Sequence, residues 1–274
     1  MKFIDQLKEK AKQNKKTIVL PETSDMRTIE AAGKVLAEGI ANIILVGDKE
    51  DIMSRAGDID LSGASFVDPK NYEKFDEYVD AFVEMRRKKG MTEARAKELL
   101  LTNPLYFGCM MVKQDDADGM VAGAINASAD VLRAALQTLK TAPGTRIVSA
   151  FFLVVVPDCQ YGANGTFVFA DAGLEQNPDP EKLANIAISS ADSFKLLVGK
   201  EPVVAMLSHS TKGSAKHADV DKVVEATRIA KENAPEGLML DGEFQLDAAI
   251  VPEIGASKAP GSPVAGKANV LVFP

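Results

Sequence analysis

The stretch from Pro202 to Ala215 constrains the fold of this chain more than any other. Its first part, Pro202–Leu207, is an unbroken apolar run, as expected of a strand buried in a parallel sheet. A loop of hydroxyls, one lysine and one glycine follows, and a helical pattern starts near His217. Such a loop lies at the carboxyl edge of the sheet, where anions bind in open α/β folds. The stretch therefore predicts an α/β fold with an anion-binding loop.

Strands and helices alternate in the first half of the chain as well. Thr17–Leu20 and Asn42–Val46 are short apolar strands, and the helical pattern of Met26–Glu38 lies between them. This order makes a βαβ unit, so the sheet should be parallel. We predict two more strands in this half, Phe107–Val112 and Gly119–Ala124.

Pro143-Gly144 is the clearest boundary signal, because this pair ends a helical pattern and can act as a hinge. We predict two α/β domains, residues 1–143 and residues 144–274. In the second domain, Ile147–Val156 and Thr166–Ala170 are expected to be paired strands.

Two further elements of the second domain have clear sequence signals. Asp179 is a good N-cap for a helix that has Pro180 in its first turn. Leu238–Asp241 reads as a short strand that leads into a second polar loop.

The charge balance argues against several classes of partner. The 274 residues include 32 Lys and Arg against 39 Asp and Glu, a net charge of −7 with no basic block. Nucleic acid and anionic membranes are therefore poor candidate partners. No apolar run approaches the roughly 18 residues of a membrane span, and the first ten residues do not resemble a signal peptide. We expect a cytoplasmic protein.

Several kinds of active site lack their sequence signatures. Neither a G-x-x-x-x-G-K-[ST] phosphate loop nor a G-x-G-x-x-G dinucleotide turn occurs. His209 and His217 have no cysteine or carboxylate at ligand spacing, so we expect no metal. Cys109 and Cys159 define no disulfide framework, and Cys109 is expected in the core.

The remaining polar candidates each have two interpretations. Asp241 ends a predicted strand, where a carboxylate can bind substrate or cap backbone N–H groups. Arg133 lies in the second turn of a predicted helix, where it can bind a phosphate or form a surface ion pair. The charge run Arg86–Lys89 is typical of a solvated face, but it could also hold the phosphates of a large polyanion.

Five stretches, taken together, resemble the phosphate acetyltransferase (phosphotransacetylase) family. They occur in the family's order and span almost the whole chain: Pro21-Glu22 with Asp25 and Arg27, Ala117–Ala124 with Val131–Arg133, Met206–Ala215, Asp241–Ala249, and Ala265–Pro274.

The resemblance implies two three-layer α/β/α domains with a cleft between them, similar to isocitrate and isopropylmalate dehydrogenases. It implies reversible acetyl transfer between acetyl phosphate and coenzyme A, in a ternary complex and by direct attack of the thiolate. Coenzyme A is then a substrate, no cofactor is needed, and the enzyme is expected to be a homodimer. Phosphate and acetyl-CoA are the substrates of the reverse direction.

Resemblance and pattern together mark a set of substrate-binding candidates. The resemblance gives Arg87 and Arg133 the role of receiving coenzyme A phosphates. The full set is Arg87, Asn126, Ser128, Arg133, Ser208, Ser210, Thr211, Lys212, Gly213, Ser214, Asp241, Glu243 and Gln245.

The chain departs from the family pattern in places. His209 stands where an aromatic residue is usual, and Ala134 where proline is common. The family continues past Pro274 to a Ser-Arg-Gly stretch and an aspartate, which carry the phosphate-binding arginine and the proposed thiol base. We therefore expect the catalytic residues beyond Pro274, both domains to lack their C-terminal parts, and the chain as it stands to have little activity.

Two alternatives to acetyl transfer remain open. A phosphate butyryltransferase has the same fold and chemistry with a wider acyl pocket. A non-catalytic acyl-CoA-binding module would bind the same ligand without turnover.

Overall fold

The structure is a computed structural model that describes residues 3–143 and 145–274. The chain divides into two compact units, one up to Lys140 and one from Thr141 onward. Both units are built of strands and helices, which confirms the predicted α/β class. None of the helices in the described ranges is long and apolar enough to cross a membrane.

The first unit is a parallel sheet with helices. Its four strands have the order β3-β2-β1-β4, and every neighbouring pair is parallel. The strands are β1 Thr17–Leu20, β2 Asn42–Val46, β3 Ser65–Val67 and β4 Gly119–Met120. The helices are α1 Phe3–Gln13, α2 Met26–Glu38, α3 Lys49–Ala56, α4 Phe75–Arg86, α5 Glu93–Thr102, α6 Pro104–Lys113 and α7 Ser128–Thr138, with short 3₁₀ turns at Pro69–Asn71 and Arg87–Lys89.

Helices cover both faces of this sheet. Val19 of β1 packs into a cluster with residues of α4, α5, α6 and α7, whereas its neighbour Leu20 packs against α2 and α3. Successive side chains of a strand point to opposite faces, so an apolar strand supplies both cores. The first unit therefore has three layers.

The second unit contains a mixed sheet. Its order is β5-β6-β9-β7-β8; β5 runs antiparallel to β6 and the other pairs are parallel. The strands are β5 Phe151–Val155, β6 Thr166–Ala170, β7 Val203–Leu207, β8 Met239–Phe244 and β9 Val270–Val272. The helices are α8 Pro180–Val198, α9 Ala218–Asn233, α10 Leu246–Ile250 and α11 Pro252–Lys258.

The same alternation produces two cores in the second unit. Val204 and Met206 of β7 pack with α8 and α9, whereas Val203, Ala205 and Leu207 pack with the segment around α10 and α11. All five residues of β7 are buried. The fully apolar run that marked this strand in the sequence is thus explained by burial on both faces.

Several predicted elements are confirmed. The βαβ unit has the predicted bounds, and β5 pairs with β6. Asp179 caps α8: its side chain accepts a hydrogen bond from the backbone N–H of Lys182, and Pro180 lies in the first turn.

The predicted strand Phe107–Val112 is wrong, because this segment belongs to helix α6. Asn103 caps the helix and Pro104 starts it. Almost every residue of α6 is buried, and a helix that is apolar on all sides shows no amphipathic period. A short apolar run of this kind does not distinguish a buried helix from a buried strand.

The predicted strand Gly119–Ala124 is only partly correct. The ladder ends at Met120, although one further N–H, that of Val121, donates to Val19. The N–H groups from Gly123 onward instead donate to the carboxylate of Glu22. A side chain from the segment after β1 therefore takes over the N–H groups that follow β4.

Candidate functional site

The loop that follows β7 is fixed to the neighbouring strand β8 by its backbone. The N–H of Ser208 donates to the carbonyl oxygen of Phe244 at 2.8 Å, and the N–H of Lys212 donates to that of Glu243 at 3.2 Å. Gly242 makes close approach of the two strands possible, because a Cβ there would lie 2.6 Å from Cβ of Met206. We call residues 208–217 the second-unit loop.

Glu243 organises the inner side of the second-unit loop. This residue is 3% exposed, and its Oε1 accepts hydrogen bonds from Ser210 Oγ at 2.8 Å and from the N–H of Gly213 at 2.7 Å. Ser210 is fully buried, and its hydroxyl also accepts from the N–H of Ala215 at 3.1 Å. Ser214 Oγ accepts from the N–H of Thr211 at 3.0 Å. These hydroxyls therefore shape the loop from within.

Thr211 and Gln245 join the loop to the segment after β8. The hydroxyl of Thr211, which is buried, accepts from the N–H of Gln245 at 2.9 Å. The side-chain oxygen of Gln245 accepts from Lys258 Nζ at 2.9 Å, and the same amine pairs with Asp247 at 2.8 Å. Thr211 and Gln245 thus hold the loop while α11 supplies a cation beside it.

Asp241 is the centre of an ion cluster at the edge strand β8. Its Oδ1 accepts from Lys212 Nζ at 2.8 Å and from Lys231 Nζ at 2.7 Å, and its Oδ2 accepts from Ser262 Oγ at 2.6 Å. Burial disfavours the charged form, but the hydrogen bonds from these three side chains outweigh burial and lower the pKa of Asp241 to about 2. Asp241 is therefore ionised at neutral pH.

Lys212 occupies a special backbone position. Its φ is +49°, and that of Gly213 is +80°, so two successive residues adopt the left-handed region. The Lys212 amine also donates to the carbonyl oxygen of Gly242 at 2.5 Å and lies 5.0 Å from the ring centre of Phe244. Beside the amine opens a cavity of about 440 Å³ whose lining includes Lys212, Lys231, Asp241 and Lys258.

Another loop, residues 121–126 of the first unit, follows β4. We call it the first-unit loop. Its last four N–H groups, those of Gly123, Ala124, Ile125 and Asn126, donate to the carboxylate of Glu22 at 2.6, 2.6, 3.2 and 2.9 Å. Asn126 Nδ2 adds a fifth bond at 2.7 Å.

The environment keeps Glu22 ionised although it is only 2% exposed. Burial raises its pKa, but the hydrogen bonds from Asn126, Ala124 and Ile125 outweigh burial and lower the pKa to about 2. Arg27 fixes the same loop from another side, because its Nη2 donates to the carbonyl oxygen of Ala124 at 2.5 Å. A cavity of about 200 Å³ lies between these residues and Val121.

Helix α7 starts directly after this loop and carries Ser128 and Arg133. Both residues are exposed, and Arg133 Nη1 pairs with Asp130 at 2.6 Å. Burial raises the pKa of Tyr106, whereas the positive charges of Arg133 and Arg86 lower it, so both guanidinium groups lie near this phenol.

Arg86 and Arg87 differ in their surroundings. The Arg87 side chain is 72% exposed and pairs with Glu84 one turn earlier. The Nε of Arg86 is buried, and among the described residues it has no hydrogen-bond partner. A buried donor without a partner is unfavourable in the free protein.

The substrate-binding residues predicted from the sequence form two groups. Four of them lie in the first unit: Asn126 in the first-unit loop, Ser128 and Arg133 in α7, and Arg87 just after α4. The other nine lie in the second unit, in one hydrogen-bonded network. Four of these are buried and bonded within the protein: Ser210, Thr211, Asp241 and Glu243. The others are exposed (Lys212, Gly213 and Ser214) or partly exposed (Ser208 and Gln245).

Sequence reasoning gave no role to several residues of these networks. Glu22 lies two residues after the end of β1, and a carboxylate at the carboxyl end of a parallel strand was a usable signal. Lys231 and Lys258 had none, since lysines are ordinary on exposed helix faces. In the described ranges, no three His, Cys, Asp or Glu side chains are grouped so that they could hold a metal ion. Cys109 is buried, as predicted.

The whole sequence matches one family of enzymes. The family model described as "Phosphate acetyl/butaryl transferase" matches residues 2–274. This chain belongs to that family. The resemblance inferred from the five sequence stretches is thereby confirmed.

Individual members of the transferase family are closely similar. A phosphate acetyltransferase from Acetivibrio thermocellus is 56% identical over 274 residues, which is 100% of this chain and 82% of the relative. One from Thermoanaerobacterium thermosaccharolyticum is 55% identical over all of this chain and 83% of its own length. The Escherichia coli phosphate acetyltransferase is 43% identical, and the match covers 99% of this chain and 37% of that protein.

Solved structures of the family have the same fold. A phosphotransacetylase from Staphylococcus aureus superimposes with a TM-score of 0.89 at 41% identity, covering 99% of this chain and 81% of the other. One from Streptococcus pyogenes gives the same values. A branched-chain phosphotransacylase from Enterococcus faecalis, at 20% identity and a TM-score of 0.63, shares the fold.

Proposed function

We propose that this protein transfers an acetyl group between acetyl phosphate and coenzyme A. The observation that carries the proposal is the 56% identity to a phosphate acetyltransferase over the full length of this chain. The exposed N–H, hydroxyl and lysine groups of the second-unit loop and the exposed Arg133 of α7 support it, because anionic substrates need groups of this kind.

The reaction needs alignment and charge neutralisation. The thiolate of coenzyme A attacks the carbonyl carbon of acetyl phosphate, a C–S bond forms, the C–O bond to phosphorus breaks, and phosphate leaves with the electron pair. The thiol proton must pass to a base, and no residue of this chain is proposed as that base. Metal and cofactor are not required by these steps, which proceed by positioning and electrostatic stabilisation.

We assign the coenzyme A phosphates to the arginines of the first unit. Arg133 is exposed and its partner Asp130 lies on the same helix, so a phosphate can compete for the guanidinium. The family resemblance names Arg87 as the second arginine. Among the described residues, the buried Nε of Arg86 has no hydrogen-bond partner. We therefore favour Arg86 over Arg87 as the second arginine.

We assign contacts with the smaller anions to the exposed groups of the second-unit loop. Lys212, Gly213 and Ser214 are exposed and Ser208 is partly exposed. Ser210, Thr211 and Glu243 are buried and hold these groups in place. The left-handed backbone at Lys212 and Gly213 is consistent with a loop that presents its outer edge to a ligand.

A butyryl substrate is the second candidate, because the matching family model covers acetyl and butyryl transfer alike. Competition between acetyl phosphate and butyryl phosphate for the same enzyme distinguishes the two. A homodimer remains a proposal that rests on the family resemblance, and a cytoplasmic location remains one that rests on the sequence.

Formation of acetyl-CoA from acetyl phosphate, followed by thioester absorbance, tests the proposal. Arg133→Ala and Arg86→Ala should each raise the KM for coenzyme A on the order of tenfold or more, since a charge-assisted phosphate contact contributes about 1.5–3 kcal/mol. Arg87→Ala is the matched control and should change KM less than about twofold.

Two results would contradict this assignment. Absence of turnover with both acetyl and butyryl phosphate, measured on the whole protein including any continuation past Pro274, rules out the function. A larger effect for Arg87→Ala than for Arg86→Ala returns the phosphate contact to Arg87, as the resemblance alone implies.

A further inference from the structure

We propose that Glu22 is a positioning residue: its carboxylate holds the first-unit loop so that helix α7 presents Ser128 and Arg133 to the substrate. This inference rests on the proposed function, because it takes these two residues to be substrate contacts. Glu22 itself does not touch substrate in this proposal.

One side chain, that of Glu22, accepts the consecutive N–H groups of the first-unit loop. Five donors converge on the two oxygens of Glu22: the N–H groups of Gly123 and Ala124 on Oε2, and those of Ile125 and Asn126 together with Asn126 Nδ2 on Oε1. Successive N–H groups that point to one spot form an anion-binding nest. Here the protein's own carboxylate fills the nest, so these N–H groups are not available to a substrate phosphate.

Within the described residues, the start of α7 has no side-chain cap. Its N-cap residue is Ala127, which has no side-chain acceptor for the free N–H groups of the first turn. Asn126, the residue before it, is tied to Glu22 through both its backbone N–H and its side chain. The direction in which the chain enters the helix is therefore set by Glu22.

The position of the Glu22 carboxylate is itself fixed by the sheet. Glu22 lies two residues after the end of β1, and β1 pairs with both β2 and β4 in the sheet. Arg27, at the start of α2, adds a bond to the Ala124 carbonyl oxygen and is itself held by Asp25 at 2.7 Å. The loop is thus fixed in two ways: its N–H groups donate to Glu22, and its Ala124 carbonyl oxygen accepts from Arg27.

The chain offers a matched control in Asp116. Its carboxylate, in the same unit, accepts hydrogen bonds from Lys74 Nζ at 2.5 Å, Tyr78 Oη at 2.5 Å and Tyr72 Oη at 3.1 Å. These bonds join the start of α4 to the end of α6 and involve neither the first-unit loop nor α7. Asp116→Asn should therefore reduce stability without moving the substrate contacts.

The test compares Glu22→Gln with Asp116→Asn in the whole protein. Glutamine is isosteric, but its NH₂ group faces two of the loop donors and cannot accept from them. We expect amide hydrogen exchange at residues 123–126 to accelerate roughly tenfold or more in Glu22→Gln, and to stay at the wild-type rate in Asp116→Asn.

The kinetic arm separates positioning from stability. In Glu22→Gln the KM for coenzyme A should rise about fivefold to tenfold while kcat changes less than about threefold, because phosphate contacts act equally in the ground state and the transition state. Asp116→Asn should leave both constants within about twofold of wild type at a temperature where each variant is folded.

The outcomes distinguish this inference from the proposed function. The positioning role is overturned if wild type turns over and the exchange rates and KM of Glu22→Gln match those of Asp116→Asn. A wild type without turnover overturns the proposed function. In that case the affinity for coenzyme A is measured by calorimetry instead of KM. Weaker binding by Glu22→Gln than by Asp116→Asn then still supports positioning. A wild type that neither turns over nor binds coenzyme A overturns both.

Discussion

The first-unit and second-unit loops differ in how they are held, although each is bonded to a buried glutamate from another segment. In the first-unit loop, one carboxylate, Glu22, receives five hydrogen bonds, four of them from consecutive backbone N–H groups. In the second-unit loop, Glu243 receives two, and the hydroxyls of Ser210, Thr211 and Ser214 supply other acceptors.

This difference shows two ways of fixing a binding loop. The first-unit loop has small and apolar residues from Val121 to Ile125, so it has few side-chain acceptors and relies on a residue about a hundred positions earlier. The second-unit loop is rich in hydroxyls, and its own atoms accept four of its N–H groups, whereas three others donate to β8. A single substitution should therefore disturb the first loop more than the second.

The largest effect is expected when each glutamate is removed. Glu22→Ala leaves five donors without their acceptor, and we expect the free energy of unfolding to fall by on the order of 3 kcal/mol. Glu243→Ala leaves two, and we expect a decrease of about 1.5 kcal/mol. The chain has no tryptophan, so urea unfolding is followed by far-ultraviolet circular dichroism. Equal losses would show that the number of donors does not decide how strongly a loop is held.

Acid should affect the first loop next most strongly. The pKa of Glu22 is about 2 in the folded protein against an ordinary value of 4.5. A lowered pKa stabilises the fold above the unfolded value, and this stability is lost as the pH falls from about 4.5 to about 2. Between these limits the free energy of unfolding of Glu22→Gln should fall less steeply than that of wild type. Parallel curves for the two proteins would contradict an ionised, loop-bound Glu22.

The smallest effect concerns the ion cluster of the second unit. Lys212→Met keeps the side-chain stem beside Phe244 but removes the amine from Asp241. Because Lys231 and Ser262 still bond that carboxylate, we expect a loss of about 1 kcal/mol or less. A double-mutant cycle with Asp241→Asn should give a coupling below about 1 kcal/mol. A coupling several times larger would mean that this loop, too, depends on one ion pair.

Parts of the candidate site could be read from the sequence. The apolar run before Ser208 predicted the buried strand, and the hydroxyl-rich stretch after it predicted the loop. Which of those hydroxyls face outward was not predictable, because Ser210 and Thr211 find their acceptor and donor only on β8 and the segment that follows it. The hydrogen-bond partners of Asp241 come from the second-unit loop, from α9 and from the segment after α11, and exposed lysines have no distinguishing pattern.

Local preferences in the sequence determined the elements with a strong period or a strong end signal. The βαβ unit, strand β7 and the capped start of α8 all follow from apolar spacing and from Asp and Pro at fixed positions. The family could also be inferred, because five stretches keep its order. The helix over Phe107–Val112 could not, since a segment that is buried on all sides carries no period.

Tertiary structure alone decided where the long-range hydrogen bonds go. A buried carboxylate must have donors, and a row of loop N–H groups must have an acceptor, but neither requirement specifies which residue supplies the partner. Glu22 and the first-unit loop meet only because β1 and β4 are neighbours in the sheet. The sequence thus determined what each segment prefers to be, whereas the fold determined which distant groups satisfy one another.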